Sequence, residues 1–425
     1  MSAQVRRFLP IAVLCSGLAA AHVAAAQELT IWHDKGDPGI AMIQRIADLY
    51  RQDHPSVTVK SISMPTDQWQ QRSIAALNTN TAPDILFNDN DRMILVQKST
   101  GKLSDLVPVL DSIAPGDRAN LSSGDLGASS FEGKLIQLPI QRVIVGLGVR
   151  TSWLNEVGET FPKTWDDFLR IGRKFKERHK DAYPLALHAG SPGSMTSAGI
   201  DLFAYGNGAP HALLDNNGEI VIDQPYVAKP LTEYLKLYTE YKFVSPETTN
   251  YGFVELYQMI EGGKAGMFRV GNWNVAKWDK QPPAGDYQVG PYPSFGQAVG
   301  SMIVSTIRGM GVPENAPNKE AALGFAKFLV GKPAQQASLD LMGGAIRNDL
   351  DTSAVTPGLR AFLSKDVKLQ TDDFLSSVFP WYGKLQESYY RLLLDAIANP
   401  PKDWNAWVQA TAAKLRAEVA TLKKT

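Results

Sequence analysis

Residues 29–92 read LTIWHDKGDPGIAMIQRIADLYRQDHPSVTVKSISMPTDQWQQRSIAALNTNTAPDILFNDNDR. Leu29 to Trp32 is a short apolar run that predicts a strand. Asp37 offers an N-cap and Pro38 a first helical position, ahead of Ile40, Ile43, Ile46, Ala47 and Tyr50 at helical spacing. Val57 to Ile62 is β-rich, Thr66 to Leu77 has a helical pattern, and Asp84 to Phe87 follows Pro83 as a third strand. A further helix fits Arg92 to Lys98. This β-α-β-α-β order implies an α/β fold whose parallel sheet is covered by helices on both faces. Ligands in such sheets sit beyond the carboxyl ends of the strands. Those ends are the polar clusters Trp32-His33-Asp34-Lys35 and Phe87-Asn88-Asp89-Asn90-Asp91-Arg92.

Further along, β-like runs occur at Leu135–Pro139 and Val143–Val149. Thr164 with Asp167 three residues on predicts a capped helix from Trp165. Strands fit Tyr183–Leu187, Ala265–Val270, Tyr287–Gly290 and Met302–Thr306. Helices fit the region of Met195, Val227–Tyr241, Phe253–Glu261, Glu320–Val330 and Leu385–Ala398. No internal repeat or low-complexity tract interrupts the pattern. Pro/Gly-rich stretches at 281–296 and 309–317 suggest crossings between two bodies.

The 425 residues hold 43 basic and 43 acidic side chains, 26 Pro, 35 Gly and one Cys. Balanced charge argues against nucleic acid, which asks for a basic footprint. Arg6 and Arg7 precede an apolar run, Phe8 to Ala21, and Ala24-Ala25-Ala26 supplies small residues before Gln27. This reads as a cleavable export signal over 1–26, since a membrane anchor needs about 20 apolar residues. A chain starting at Gln27 has no cysteine, so neither disulfides nor thiolate chemistry is open to it.

Six runs together resemble the family 1 extracellular solute-binding proteins of ABC transporters, in particular their sugar-binding, maltose-type members. They are LTIWHDKG at 29–36, APDILFNDNDRM at 82–93, FEGKLIQLPI at 131–140, FPKTWDDF at 161–168, GGKAGMFRVGNWN at 262–274 and PNKEAALGFAKFL at 317–329. The resemblance implies a periplasmic binding protein-like fold, two α/β lobes joined by three hinge crossings near 140–146, 289–293 and 312–318. The first lobe would be 27–140 plus 291–313, the second 141–290 plus 314–425. It further implies a non-enzymatic periplasmic monomer, without cofactor or metal, that hands a small sugar or polyol to an inner-membrane permease.

Sugar sites combine an aromatic platform with charged and amide groups that hydrogen-bond hydroxyls. Asp34 and Lys35 match polar contact positions of the family, and Asp91 and Arg92 match its Asp-Arg pair. Asn88 and Asp89 join that cluster, although helix-capping acids have a purely structural use as well. Asn88 stands where maltose-type members carry an aromatic, so one stacking platform is absent. Trp273, after Gly271-Asn272, matches a family platform. Gln141 and Arg142 fall at the first crossing, Val143 replaces an acidic ligand there, and His188 ends a strand. Arg347 resembles a cleft arginine, with an ion pair inside its own lobe as the equal alternative, and Trp381, beside Tyr382, falls near the region where the family adds a second aromatic.

The mixed charge of these candidates suits a neutral sugar or polyol, with an acidic sugar or glycerol-phosphate-like ligand as the alternative. A secreted glycosidase is the rival class. Its two carboxyls must flank a scissile bond about 5–9 Å apart, whereas Asp89 and Asp91 are neighbours on one loop. No G-x-S-x-G elbow or H-E-x-x-H zinc motif is present.

Overall fold

The computed structural model describes residues 27–279, 285–296, 300–364, 368–371 and 379–424. The expected leader, 1–26, lies outside them. The strands of the main sheet are β1 (Gln27–His33), β2 (Val57–Ser63), β3 (Ile85–Asp89), β4 (Leu138–Val149), β5 (Tyr183–Ala186), β6 (Ala265–Gly271), β7 (Gln288–Gly290), β8 (Met302–Gly311) and β9 (Leu369–Thr371). They form one sheet in the order β2-β1-β3-β8-β4-β6-β5, with β9 beside β8 and β7 beside β4. β1 pairs in parallel with β2 and β3, β5 with β6, and β9 with β8, while β4 runs antiparallel to its neighbours and β8 runs antiparallel to β3 and β4. This is the two-lobed α/β architecture that the sequence implies.

The helices that position the site are α1 (Gly36–Arg51), α2 (Thr66–Asn78), α3 (Asn90–Thr100), α4 (Trp165–Arg178), α5 (Pro225–Thr239), α6 (Phe253–Glu261), α7 (Asn272–Trp278), α8 (Lys319–Leu329), α9 (Lys332–Met342), α10 (Tyr382–Ala398) and α11 (Trp404–Leu422). Helix α1 begins one residue before the expected cap. Gly36 adopts a left-handed φ of +59°, and Lys35 is the residue that precedes the first turn. Its buried stripe is Met42, Ile43, Ile46, Ala47 and Tyr50, while Ile40 is exposed. Helix α4 carries the expected capping box, with Thr164 accepting from the Asp167 N–H and the Asp167 carboxylate accepting from the Thr164 N–H.

Two strands belong to both lobes. The start of β4 and the end of β8 pair beside β3, whereas Val145–Val149 of β4 pairs with β6. An irregularity between Val304 and Thr306 falls where β8 changes lobes. The second and third crossings therefore differ from the sequence assignment. Residues 288–290 pair with Leu147–Val149 inside the second lobe, and Tyr292 and Ile303 are buried in its core. Phe325, Leu329, Ala334 and Ile346, expected in the second lobe, instead close the first-lobe core around Leu29, Ile43 and Phe87. Residues 316–346 stay with the first lobe because α8 and α9 present apolar stripes to the β1–α1 layer, while Leu339 of α9 packs toward Phe268 on the other side. The chain returns after Asn348, whose N–H donates to the Asn120 carbonyl, and then buries Val355 and Leu359 beside Phe268 and Trp278.

Candidate functional site

The two polar clusters, more than fifty positions apart in sequence, meet at the carboxyl ends of β1 and β3. The Lys35 ammonium donates to Asn88 Oδ1 at 2.7 Å and to Asp89 Oδ2 at 2.9 Å, and pairs with Asp34 Oδ1 at 2.9 Å. Arg92, on the first turn of α3, reaches the other Asp34 oxygen at 2.9 Å. His33 sets this loop. Its Nδ1 accepts the Lys35 N–H at 3.1 Å while Nε2 meets Ser61 Oγ at 2.7 Å, which makes Nε2 the protonated nitrogen. Burial lowers the His33 pKa to about 4, so the ring is neutral at pH 7.

The crossing strands supply the middle of the site. Arg308 on β8 donates from Nε to Asp89 Oδ1 at 2.9 Å and from Nη1 to Gln141 Oε1 at 3.2 Å. Burial alone would raise Asp89, yet the charges of Lys35 and Arg308 outweigh it and hold the carboxyl well below the usual range. Asp91 moves the opposite way, raised by burial and by its neighbour Asp89. Gln141 is fully buried, its amide nitrogen donating to the Met342 carbonyl.

The second lobe adds Trp273, half-buried at the start of α7. The Arg308 guanidinium lies 5.8 Å from its ring centroid and that of Arg269, on β6, lies 5.4 Å away. The indole N–H donates to Tyr257 Oη at 3.4 Å. Gly271 permits this placement, since a Cβ there would stand 2.0 Å from Trp273 Cζ3. His188 is buried against Phe253, ring centroids 4.3 Å apart, and burial together with the Arg269 charge lowers its pKa to about 3. Charged donors, acceptors and an aromatic face from both lobes thus converge on one surface.

Nine of the twelve expected site residues belong to this assembly or border it: Asp34, Lys35, Asn88, Asp89, Asp91, Arg92, Gln141, His188 and Trp273. Three do not. Successive residues of a strand face opposite ways, so Arg142 points away from Gln141 and pairs bidentately with Asp125, at 2.6 and 3.1 Å. Arg347 is held by Asp349 and Asp117. Both arginines line a cavity of about 810 Å³ together with Gly344, Arg360 and Phe362, and none of the clustered residues lines it. Trp381 stacks on Phe379, centroids 4.9 Å apart, beside Gly218.

Sequence reading missed Arg308 and Arg269. Each is the lone charge of an otherwise uncharged strand, MIVSTIRGMG and AGMFRVG, and that incongruity was the available signal.

The model of the family described as "Bacterial extracellular solute-binding protein" matches residues 35–336. The chain belongs to that family. This solute-binding protein is 26% identical over 245 residues to the lactose-binding protein of Rhizobium radiobacter, covering 53% of this chain and 56% of that one. It spans about half the length of the curated relatives it matches. Among solved structures, maltose-bound MalE3 of T. maritima superposes with a TM-score of 0.75 at 18% identity, covering 92% of this chain and all of that one. The sugar-binding protein MalE of Xanthomonas citri superposes with a TM-score of 0.75 at 16% identity, covering 93% of this chain and 98% of that one. These likenesses carry the fold. No described helix of the solute-binding protein is long and apolar enough to cross a membrane.

Proposed function

We propose that this solute-binding protein captures a carbohydrate between its lobes, closes over it and presents it to the permease of an ABC importer. It would work as a periplasmic monomer after loss of residues 1–26. The observation that carries the reading is the position of Trp273, whose half-buried ring lies near Arg308 of the crossing strand and Arg269 of the second lobe. Arg308 is in turn bonded to Asp89 of the first lobe. A sugar offers an apolar ring face and a rim of hydroxyls, and this surface offers an indole face ringed by charged donors and acceptors. The lactose-binding relative and the maltose-bound neighbour point to the same ligand class.

Lys35, Asp34, Asp89 and Arg92 would take hydroxyls from the first-lobe side, and Trp273 would take the ring from the second. A ligand that touches both lobes only when they approach favours the closed form by that difference in affinity. The discontinuity in β8 between Val304 and Thr306 is a natural place for the bend. Thermal unfolding of residues 27–425 against sugars, polyols and amino acids tests the reading. A ligand at a hundred times its Kd stabilises by about 2.7 kcal/mol. A sugar that stabilises and is recovered unchanged supports the proposal, whereas stabilisation by amino acids alone, or turnover of a sugar, overturns it.

A further inference from the structure

Charge does not balance in this site. Lys35 and Arg92 share Asp34, and Lys35 and Arg308 share Asp89. Asp91 is pushed toward its neutral form by burial and by Asp89. Arg269 remains. It is 8% exposed, its side chain makes no ion pair or hydrogen bond with any described residue, and its buried Nε has no acceptor. A guanidinium whose Nε is buried without an acceptor is unfavourable, and neighbouring aromatic faces offset only part of that cost.

The surroundings of Arg269 are specific. Phe253 and Trp273 hold the guanidinium, with ring centroids 5.6 and 5.4 Å away, so it is fixed by two aromatic faces. His188, within electrostatic range, packs against the same Phe253 with its ring tilted by 43°, and its Nε2 is buried without a partner. Tyr292, also within electrostatic range of Arg269, has a buried hydroxyl without a partner. The Tyr292 N–H donates to the carbonyl of Ser301, whose own hydroxyl is a further buried orphan. Arg269, His188 and Tyr292 therefore each keep a buried polar atom without a partner among the described residues, the latter two within electrostatic range of the first.

We propose that the bound carbohydrate carries a carboxylate and that Arg269 receives it, with His188 and Tyr292 completing an acid-group subsite. The proposal rests on the carbohydrate reading and sharpens it from sugars in general to sugar acids. A planar carboxylate takes two parallel N–H bonds from a guanidinium. The Tyr292 hydroxyl would supply a neutral donor. His188 is neutral at pH 7, so the corner offers a single positive charge. That matches a monoanionic carboxylate better than the double charge of a phosphate ester. First-lobe contacts would remain for the hydroxyls, where each cation is already paired with a carboxylate.

The test is calorimetric titration of the 27–425 protein with galacturonate, glucuronate and their disaccharides, beside galactose, glucose and glucose 6-phosphate. The expected result is uronate binding that the matched neutral sugar lacks at the same concentration. Arg269→Gln and Arg269→Met should weaken it at least tenfold, and Arg269→Lys should retain part of it. Melting of the ligand-free variants is the second readout, because removing an unpaired buried charge should raise the melting temperature of Arg269→Met. Equal binding of the neutral sugar overturns the acid-group subsite while leaving the carbohydrate reading intact. Binding of the phosphate ester alone overturns the carboxylate. Uronate affinity unchanged in Arg269→Met, or a lower melting temperature of that variant without ligand, also overturns it. No response to any carbohydrate overturns both readings.

Discussion

Asp89 and Arg308 stand directly opposite each other on antiparallel strands, and Arg308 Nε donates to Asp89 Oδ1 at 2.9 Å. The other Asp89 oxygen takes Lys35, so one carboxylate holds two cations in place. Asp89→Ala should therefore cost about 1–3 kcal/mol of stability, since two charged donors lose their acceptor at once. It should weaken ligand binding at least tenfold. Urea unfolding midpoints and calorimetry measure the two effects separately.

Trp273 can be moved without being touched. Gly271→Ala places a methyl group where the indole lies and must displace the ring. Both Gly271→Ala and Trp273→Ala are expected to weaken ligand binding by roughly 2 kcal/mol or more, as loss of an aromatic anchor does. Far-UV circular dichroism should be unchanged in Trp273→Ala. Full affinity in Trp273→Ala would remove the indole from the site.

Asn272 is a structural joint rather than a ligand contact. Its amide nitrogen donates to the carbonyls of Arg142 and Gly343, at 2.9 and 3.0 Å, and its oxygen accepts the Ile144 N–H at 3.3 Å. It is fully buried. Asn272→Ala leaves three backbone groups unsatisfied, and we expect a loss of ~2–4 kcal/mol in chemical denaturation. Asn272→Asp should be destabilising too, because a carboxylate cannot donate to either carbonyl.

Acid should destabilise the protein through His33. Its folded pKa is lowered to about 4 from 6.5, so between those values the unfolded chain binds the extra proton. Stability is then fully present above about pH 6.5 and declines as pH falls toward 4. His188, lowered to about 3, adds a loss of the same sign that continues further into acid. Melting temperatures from pH 7 to pH 4 should fall, and the fall should be shallower in His33→Gln.

Much of this was readable from local signals. The first β-α-β-α-β run and the Thr164–Asp167 cap depend on near neighbours, and the structure places them within a residue or two. The pairing of Asp34-Lys35 with Asn88-Asp89 followed from parallel strands whose ends must lie side by side. Long strands were harder. β4 read as two runs because Gln141-Arg142 interrupts its apolar pattern, and that interruption is where the strand changes lobes. Arg142 and Arg347 looked like site residues until the pleat and distant acids such as Asp125 and Asp117 claimed them. Arg269 and Arg308 were hidden for a related reason. A charge in a strand reads as an exposed edge until the sheet shows both its neighbours occupied.

The order in which the first-lobe core is assembled has a consequence for how the protein is made. Leu29 and Ile31 begin that core, yet Phe325, Leu329 and Ile346 finish it, after the strands of the second lobe have been synthesised. A nascent chain that has emerged only as far as β8 has no apolar partner for one side of α1. Domains fold as units, so this lobe must wait for its last helices.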